Sequence, residues 1–505
     1  MAAKELVCVI LAAGKGTRLH SEIAKVLHRA GGKTLVEHVV TACRRVGGDV
    51  LVVVGHQAEN VRGTVMPLGA ATVLQRPQNG TGHAMLIARN AINAKARVAI
   101  VLPGDAPLIR SETLGALLDE HRKGGAAATV LTAELKDPTG YGRIVRNKDG
   151  SVAAIVEEKS ASDAQRKIRE VNSSIYCFTL EKLWPRLAEV RPENVHHELY
   201  LTDAVKELNR QKERVVAVVS ENAKEILGCN TRAELAEADR VFRARKAAAL
   251  MDSGVTIYLP ETVLIDPEVE VESDSVIEPG VQLLGKTRIG SHCRIQSGSV
   301  LTDASLEHHV LVRQHSVITA SALSAGTIVG PFAHLREGTE LHAGARVGNF
   351  VEVKKSVLRE GVKAMHLTYL GDATVGRESN IGAGTITCNY DGAKKNPTTI
   401  GERVFVGSDS ALVAPIQIGD GAYVAAGSTI TDNVPAEALA IARGRQVNKE
   451  GWAAERRRKV SEEDASARSS KNPGEIQNQS NTRKMPQLRT GKTSQQRRKT
   501  SRRPS

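Results

Sequence analysis

The chain has 505 residues, 41% hydrophobic but only 3% aromatic, so Leu, Ile, Val and Ala must fill more than one core. Its six cysteines (Cys8, Cys43, Cys177, Cys229, Cys293, Cys388) are scattered without a CxxC pair, which argues against a disulfide framework or a structural zinc site. Of the net charge of +13, residues 453–505 supply +10 from 15 Lys/Arg and 5 Asp/Glu; basicity is a property of the tail, which argues against a nucleic-acid-binding body.

The start of the chain lacks the pattern of a signal peptide, and no stretch reaches the roughly 18 apolar residues of a membrane helix. A cytoplasmic enzyme without membrane contact is the expectation. The first element is an apolar run, residues 6–13, that stops at Gly14 and opens into the basic loop "GKGTR". Two phosphate templates fail here. Leu11 stands where the Walker pattern needs its first glycine and Thr17 where it needs lysine, and Leu19 replaces the third glycine of the dinucleotide fingerprint. The physical parts of a phosphate cradle remain: Gly14 and Gly16 for close backbone approach, Lys15 and Arg18 for charge.

Apolar runs recur at 50–54, 98–102 and 127–131, separated by helical patterns at 35–46 and 82–92. That alternation predicts an α/β, Rossmann-like domain over residues 1–230, with ligands beyond the carboxyl ends of its strands. Residues 231–253 open with "TRAELAEADRVFRARKAAA", free of Gly and Pro, and read as a helical linker.

From residue 254 the pattern changes. Aliphatic residues fall every six positions at Ile265, Val271, Ile277, Leu283, Ile289, Ile295 and Leu301, and resume at Leu311, Val317, Leu323, Val329, Leu335, Leu341, Val347 and Val353. The count returns at Ile400, Val406, Leu412, Ile418, Val424 and Ile430. A period of six predicts a parallel β-helix of hexapeptide repeats over 254–452, each hexapeptide forming one side of a coil. Residues 354–371 and 387–399 leave the period and are expected to be excursions with a binding role. Beyond Trp452 the composition collapses to Ser, Arg, Lys, Gln and Thr, and 453–505 is expected to be a disordered basic tail.

With these motifs in hand, the chain from Leu6 to Trp452 resembles the bifunctional bacterial N-acetylglucosamine-1-phosphate uridylyltransferase / glucosamine-1-phosphate N-acetyltransferase family. The resemblance implies that the β-helix is left-handed, that "LAAGKGTR" holds the nucleoside triphosphate through Leu11, Ala12, Ala13, Gly14 and Arg18, and that Lys25 of "AKVLH" contacts phosphate. By the same resemblance "LQRPQNGTGHA" supplies Gln75, Gly80 and Thr81 for the nucleotide. "PGDAPL" supplies Pro103, Gly104 and Asp105, while Gly142, Glu157 and Asn172 contact the sugar. Asp105 and Asn230 are the implied Mg²⁺ ligands. Three departures stand out: Ala24 for proline, Pro103 for tyrosine, and Ser173-Ser174 for Thr-Gly.

In the repeat region the resemblance makes His366 of "HLTYLGD" the general base, a suitable task for a side chain that titrates near neutrality. Arg336 and Lys354 become sugar-phosphate contacts, joined by Tyr369, Asn380, Ala383, Asn389, Tyr390, Ser408, Ala426 and Arg443 around the sugar and acetyl-CoA. Asn389 and neighbouring backbone groups are the expected oxyanion donors. The implied substrates are UTP, acetyl-CoA, glucosamine-1-phosphate and N-acetylglucosamine-1-phosphate, and the implied assembly is a homotrimer. Two other readings use the same residues differently. In one the chain is a single nucleotidyltransferase with a structural or regulatory β-helix; in the other the β-helix serves only to trimerise. A purely structural coil has no need for "HLTYLGD", "TCNYDG" and a cationic pair together.

Overall fold

A computed structural model describes residues 5–190, 198–226 and 228–469. The first strand, β1 (Leu6–Ala12), is followed by helix α1 (Leu35–Val46), which starts at a capping box between Thr34 and Glu37 and ends at Gly47 with φ of 95°. Then come β2 (Asp49–Val54), β3 (Ala71–Leu74), α2 (Thr81–Arg89), β4 (Val98–Pro103), α3 (Ser111–Lys123) and β5 (Ala128–Glu134). A short antiparallel pair, β6 (Arg143–Arg146) and β7 (Val152–Val156), precedes the long β8 (Glu170–Thr179). Helices α4 (Leu180–Glu189) and α5 (Leu201–Arg210) and strand β9 (Val215–Val219) complete the domain.

The main sheet runs β9-β5-β8-β4-β1-β2-β3, parallel except for β8, which lies antiparallel to both neighbours. Alternate residues of β1 serve two cores. Cys8 and Ile10 pack with Val39, Val40 and Leu117; Val7 and Val9 pack with Met85, Leu183 and Val205. Both faces are therefore covered, as the apolar runs required. Chain order reverses between β4 and β1, so the crevice beyond Ala12 and Pro103 is a topological switch point.

Helix α6 (Arg232–Asp252) opens on a capping box between Thr231 and Glu234, and its far end buries Ala247 and Leu250 in the core of the coil that follows. Strands then pair with neighbours one turn later: Ile277 with Ile295, Leu283 with Leu301, Ile289 with Leu306. The result is a left-handed parallel β-helix with an inward aliphatic column on each side. Each buried Leu or Ile contributes about 1.5–3 kcal/mol, which explains why a chain so poor in aromatics still folds.

Three expectations need correction. The six-step count does not resume at Leu311 and Val317. The sequence takes a five-residue side at Leu306, so Val312 and Ile318 point inward at 0% exposure while Val317 is 39% exposed. Next, residues 354–371 do not leave the coil. The nine-residue strands β10 (Arg346–Lys354) and β11 (Lys363–Gly371) pair in register across most of their length; the period slips because the coil side between them is short. Finally, the expected disorder from 453 does not hold throughout. Helix α7 (Trp452–Ser469) covers the start of that segment, supported by Lys459–Glu455 and Arg458–Glu462 pairs at i,i+4 spacing. Residues 470–505 lie outside the described residues.

Candidate active sites

The glycine loop leaves β1 at the switch point. Gly104 N donates to Leu11 O at 2.9 Å, which ties "PGDAPL" to the loop. Gly16 adopts φ of 65°, and a Cβ there would collide with the Cβ of Lys25, so only glycine lets the short helical turn at Lys25 pack against the loop. Open space surrounds Gly14. Ala24, where proline was expected, is held instead by its N–H on Gln57 Oε1 at 2.9 Å.

Lys25 forms an ion pair with Asp105, and its ammonium also donates to Asn230 Oδ1 at 2.7 Å. Arg18 Nη2 reaches the same amide oxygen at 2.5 Å. Asn230 is fixed at the start of α6, where the Glu234 carboxylate accepts from Asn230 N at 2.6 Å and Thr231 N at 2.8 Å. Cys229 N donates to Asp105 O at 2.8 Å. Four residues expected at this centre (Arg18, Lys25, Asp105 and Asn230) thus meet at one point. Asp105 and Asn230 present oxygen atoms that converge on a positive charge, the donor set a hard divalent cation takes. Among the described residues no three His, Cys, Asp or Glu side chains form a metal-holding group, so an ion here needs phosphate and water to complete its shell.

Gln75 is buried at 3% exposure, donating to Gly80 O at 3.0 Å and lying 3.1 Å from His83 Nδ1. Thr81 Oγ1 accepts from Leu201 N at 3.0 Å, joining the start of α2 to α5. On β8, Asn172 N donates to Gly142 O at 2.8 Å. Glu157 keeps an exposed edge, yet desolvation by the surrounding protein raises its carboxyl above the usual range, and Asp203 pushes the same way against a hydrogen bond from Thr202. Tyr141 was missed by the sequence analysis. Burial raises its phenol, and Arg18 and Asp105 lie close enough to act on it, which links the Gly142 corner to the Lys25 centre.

The second site lies on the β-helix. In the β10/β11 register Asn349 sits opposite His366 and Glu352 opposite Tyr369. His366 Nδ1 lies 2.9 Å from Asn349 Oδ1, and a carbonyl oxygen only accepts, so in the neutral ring the proton sits on Nδ1 and the lone pair on Nε2. No motif marks Asn349, whose place beside His366 depends on strand register. Arg336 pairs with Glu352 at 2.9 Å, and Glu337 joins Arg336 at 3.9 Å to Lys354 at 3.4 Å, so the two expected cations form one group.

Asn389 is 4% exposed, and its amide donates to Asp372 Oδ2 at 2.6 Å and to Tyr369 Oη at 3.4 Å. These contacts brace Asn389 against Tyr369 and the base of the loop. That loop is built on Asp391, whose carboxylate accepts from Lys394 N and Ala393 N at 2.8 Å and from Asn396 Nδ2 at 2.8 Å, holding its acid down to about 2. Tyr390 projects from it, 60% exposed, with Lys395 Nζ 5.4 Å from the ring centre. Asn380 lies on the coil after β11, with Ala383 close by. Asp409 N donates to Ala383 O, Gly427 N to Ser408 O and Arg443 Nη1 to Ala426 O, so successive coils align Ala383, Ser408, Ala426 and Arg443 along one corner.

Residues 8–173 match the MobA-like NTP transferase domain family. Residues 268–303 match the bacterial transferase hexapeptide family, and 397–432 the hexapeptide repeat of succinyl-transferase. Three similar relatives are each named bifunctional protein GlmU. That of Koribacter versatilis is 47% identical over 90% of this chain and 98% of its own length. That of Solibacter usitatus is 50% identical over 90% and 98%, and that of an Anaeromyxobacter species 49% over 90% and 93%. With two domain types, two sites and full-length identity of this order, the chain belongs to the GlmU family of bifunctional enzymes, which carry out acetyl transfer and uridylyl transfer in the synthesis of UDP-N-acetylglucosamine.

Proposed function

We propose that the two sites divide these reactions between them, with the β-helix making N-acetylglucosamine-1-phosphate and the α/β domain consuming it. The observation that carries the first half is the His366–Asn349 contact. Nε2 of His366 takes a proton from the glucosamine amine as nitrogen bonds to the thioester carbon and the C–S bond to coenzyme A breaks. Arg336 and Lys354 hold the sugar phosphate, with Tyr369 and Asn380 beside the sugar. Tyr390, Ala383, Ser408, Ala426 and Arg443 line the path of acetyl-CoA.

In the α/β domain the sugar phosphate attacks the α-phosphorus of UTP and pyrophosphate leaves. Leu11, Ala12, Ala13 and Gly14 carry the nucleotide on the loop backbone, while Gln75, Gly80 and Thr81 read the base. Pro103 and Gly104 shape the floor. Gly142, Glu157 and Asn172 hold the sugar. Arg18 and Lys25 offset charge that grows on the phosphates. Asp105 and Asn230 would hold Mg²⁺, which when bound supplies Lewis-acid stabilisation of phosphate charge.

The assembly we propose is a homotrimer in the cytoplasm. An exposed apolar ladder beside His366 supports an interface there. Phe332 and Phe350 stack at 5.6 Å, and with Leu367 they are 50%, 59% and 64% exposed. Among the described residues no helix is long and apolar enough to cross a membrane. The test supplies purified protein with glucosamine-1-phosphate, acetyl-CoA, UTP and Mg²⁺ and follows each product separately. Absence of either product from the intact chain would overturn the reading.

A further inference from the structure

The two residues that depart from the expected Thr-Gly, Ser173 and Ser174, form a bulge in β8. Asn172 pairs with Thr132 and Ile175 with Leu131, so the two serines are extra. Ser173 Oγ replaces the lost ladder bonds, donating to Leu131 O at 2.6 Å and accepting from Ile175 N at 3.1 Å. Ser174 takes φ of 61°, a left-handed conformation that is strained for a residue with a Cβ. Bulges re-aim side chains beside active sites, and the side chain re-aimed here is Asn172.

The strained turn brings Ser174 N onto Asn172 Oδ1 at 3.1 Å. At the other end Asn172 Nδ2 donates to Tyr176 Oη at 2.8 Å, both residues being buried. Tyr176 is 3% exposed and cannot turn away; it stacks on Phe178 at 5.4 Å and sits mid-strand between Val101 and Val130. The Asn172 amide is thus clamped at both ends and cannot flip. One N–H and one oxygen lone pair are left, in fixed positions. A flat donor–acceptor pair of that kind matches another amide at two points, whereas a hydroxyl offers one atom.

We propose that Tyr176, with the Ser173-Ser174 bulge, is the positioning element that makes the sugar site select an N-acylated sugar phosphate over its 2-hydroxy counterpart. The proposal rests on Asn172 facing the sugar. Y176F removes one oxygen and keeps the ring in place. In uridylyl transfer it should raise KM for N-acetylglucosamine-1-phosphate about 10-fold, the loss expected for one buried hydrogen bond, and lower the preference over glucose-1-phosphate by a similar factor. KM for UTP and the acetyltransferase rate, an internal check on folding, should stay within about 2-fold. S174G keeps the N–H and relieves the strain; it should raise Tm and retain selectivity. N172A separates the two levels of argument. If it leaves KM for both sugars unchanged, Asn172 does not face the sugar and the reading of the site fails. If N172A weakens sugar binding while Y176F keeps wild-type selectivity, or weakens both sugars equally, the clamp is structural and the proposal is overturned.

Discussion

Replacing His121 by glutamine should remove a pH dependence from the stability of the α/β domain. The ring lies in α3 at 2% exposure, with Nδ1 2.9 Å from Thr129 Oγ1 and Nε2 3.1 Å from Thr179 Oγ1. The Thr179 hydroxyl already donates to Ala126 O at 2.8 Å, so it accepts from Nε2–H, and Nδ1 accepts from Thr129. A second ring proton would break that last bond and place a charge in the core. Burial and the neighbouring Arg122 accordingly push the imidazole down to about 4, against 6.5 in an open chain. The folded state binds the proton more weakly, so stability is full above the open-chain value and falls as pH drops from 6.5 towards 4. One unit of separation carries about 1.4 kcal/mol, so the wild type should lose about 2 kcal/mol by pH 5 from this group alone. Urea unfolding at pH 7 and pH 5 measures it, with Trp184 as reporter. The chain has two tryptophans, and a W452F background leaves Trp184, which packs under Arg89 in the same domain. Carboxylate titration is common to both proteins and cancels in the difference. Equal losses between pH 7 and pH 5 for the parent and H121Q would refute the reasoning.

D105A should abolish uridylyl transfer and spare acetyl transfer, because Asp105 meets Lys25 and Asn230 only in the α/β domain; near-normal uridylyl transfer at low Mg²⁺ would make it a turn residue. G16A should cut uridylyl transfer by at least 10-fold, since its Cβ meets Lys25 and its φ is left-handed; kinetics within 2-fold of wild type would show that the loop yields. H366A should slow acetyl transfer about 10²-fold with uridylyl transfer intact, and N349A should lower kcat of the same step with KM for both substrates kept, as the ring loses its fixed tautomer; an unchanged kcat in N349A would leave His366 oriented by other contacts. Removal of residues 453–505 should leave both steady-state activities in place, and a large loss of either would show that the tail docks on the body.

Much of this protein is written in local sequence. Continuous apolar runs and a pattern of period six respond to which faces are buried, and that is why β1, the sheet of the α/β domain and the stacked coil are legible from 6–13, 98–102 and 265–301. The stretch free of Gly and Pro after Thr231 likewise marks α6 without a structure. The motif residues Lys25, Asp105, Asn230 and His366 stand out by resemblance, since each sits in a short distinctive string.

What only the tertiary structure decided is everything that depends on register and on distance between remote segments. Lys25 and Asn230 are 205 residues apart and meet because Asp105 ties the end of α6's lead-in to β4. A five-residue coil side moved the inward positions from Leu311 and Val317 to Val312 and Ile318, a slip invisible where two aliphatic residues adjoin and either fits the period. Asn349 became the partner of His366, and Asn389 a brace between Asp372 and Tyr369, because hydrogen-bond partners are whichever neighbours the coil stacks above or below. The sequence fixes which side chains want burial or a partner; three-dimensional packing chooses the partner, and at both sites that choice sets the chemistry.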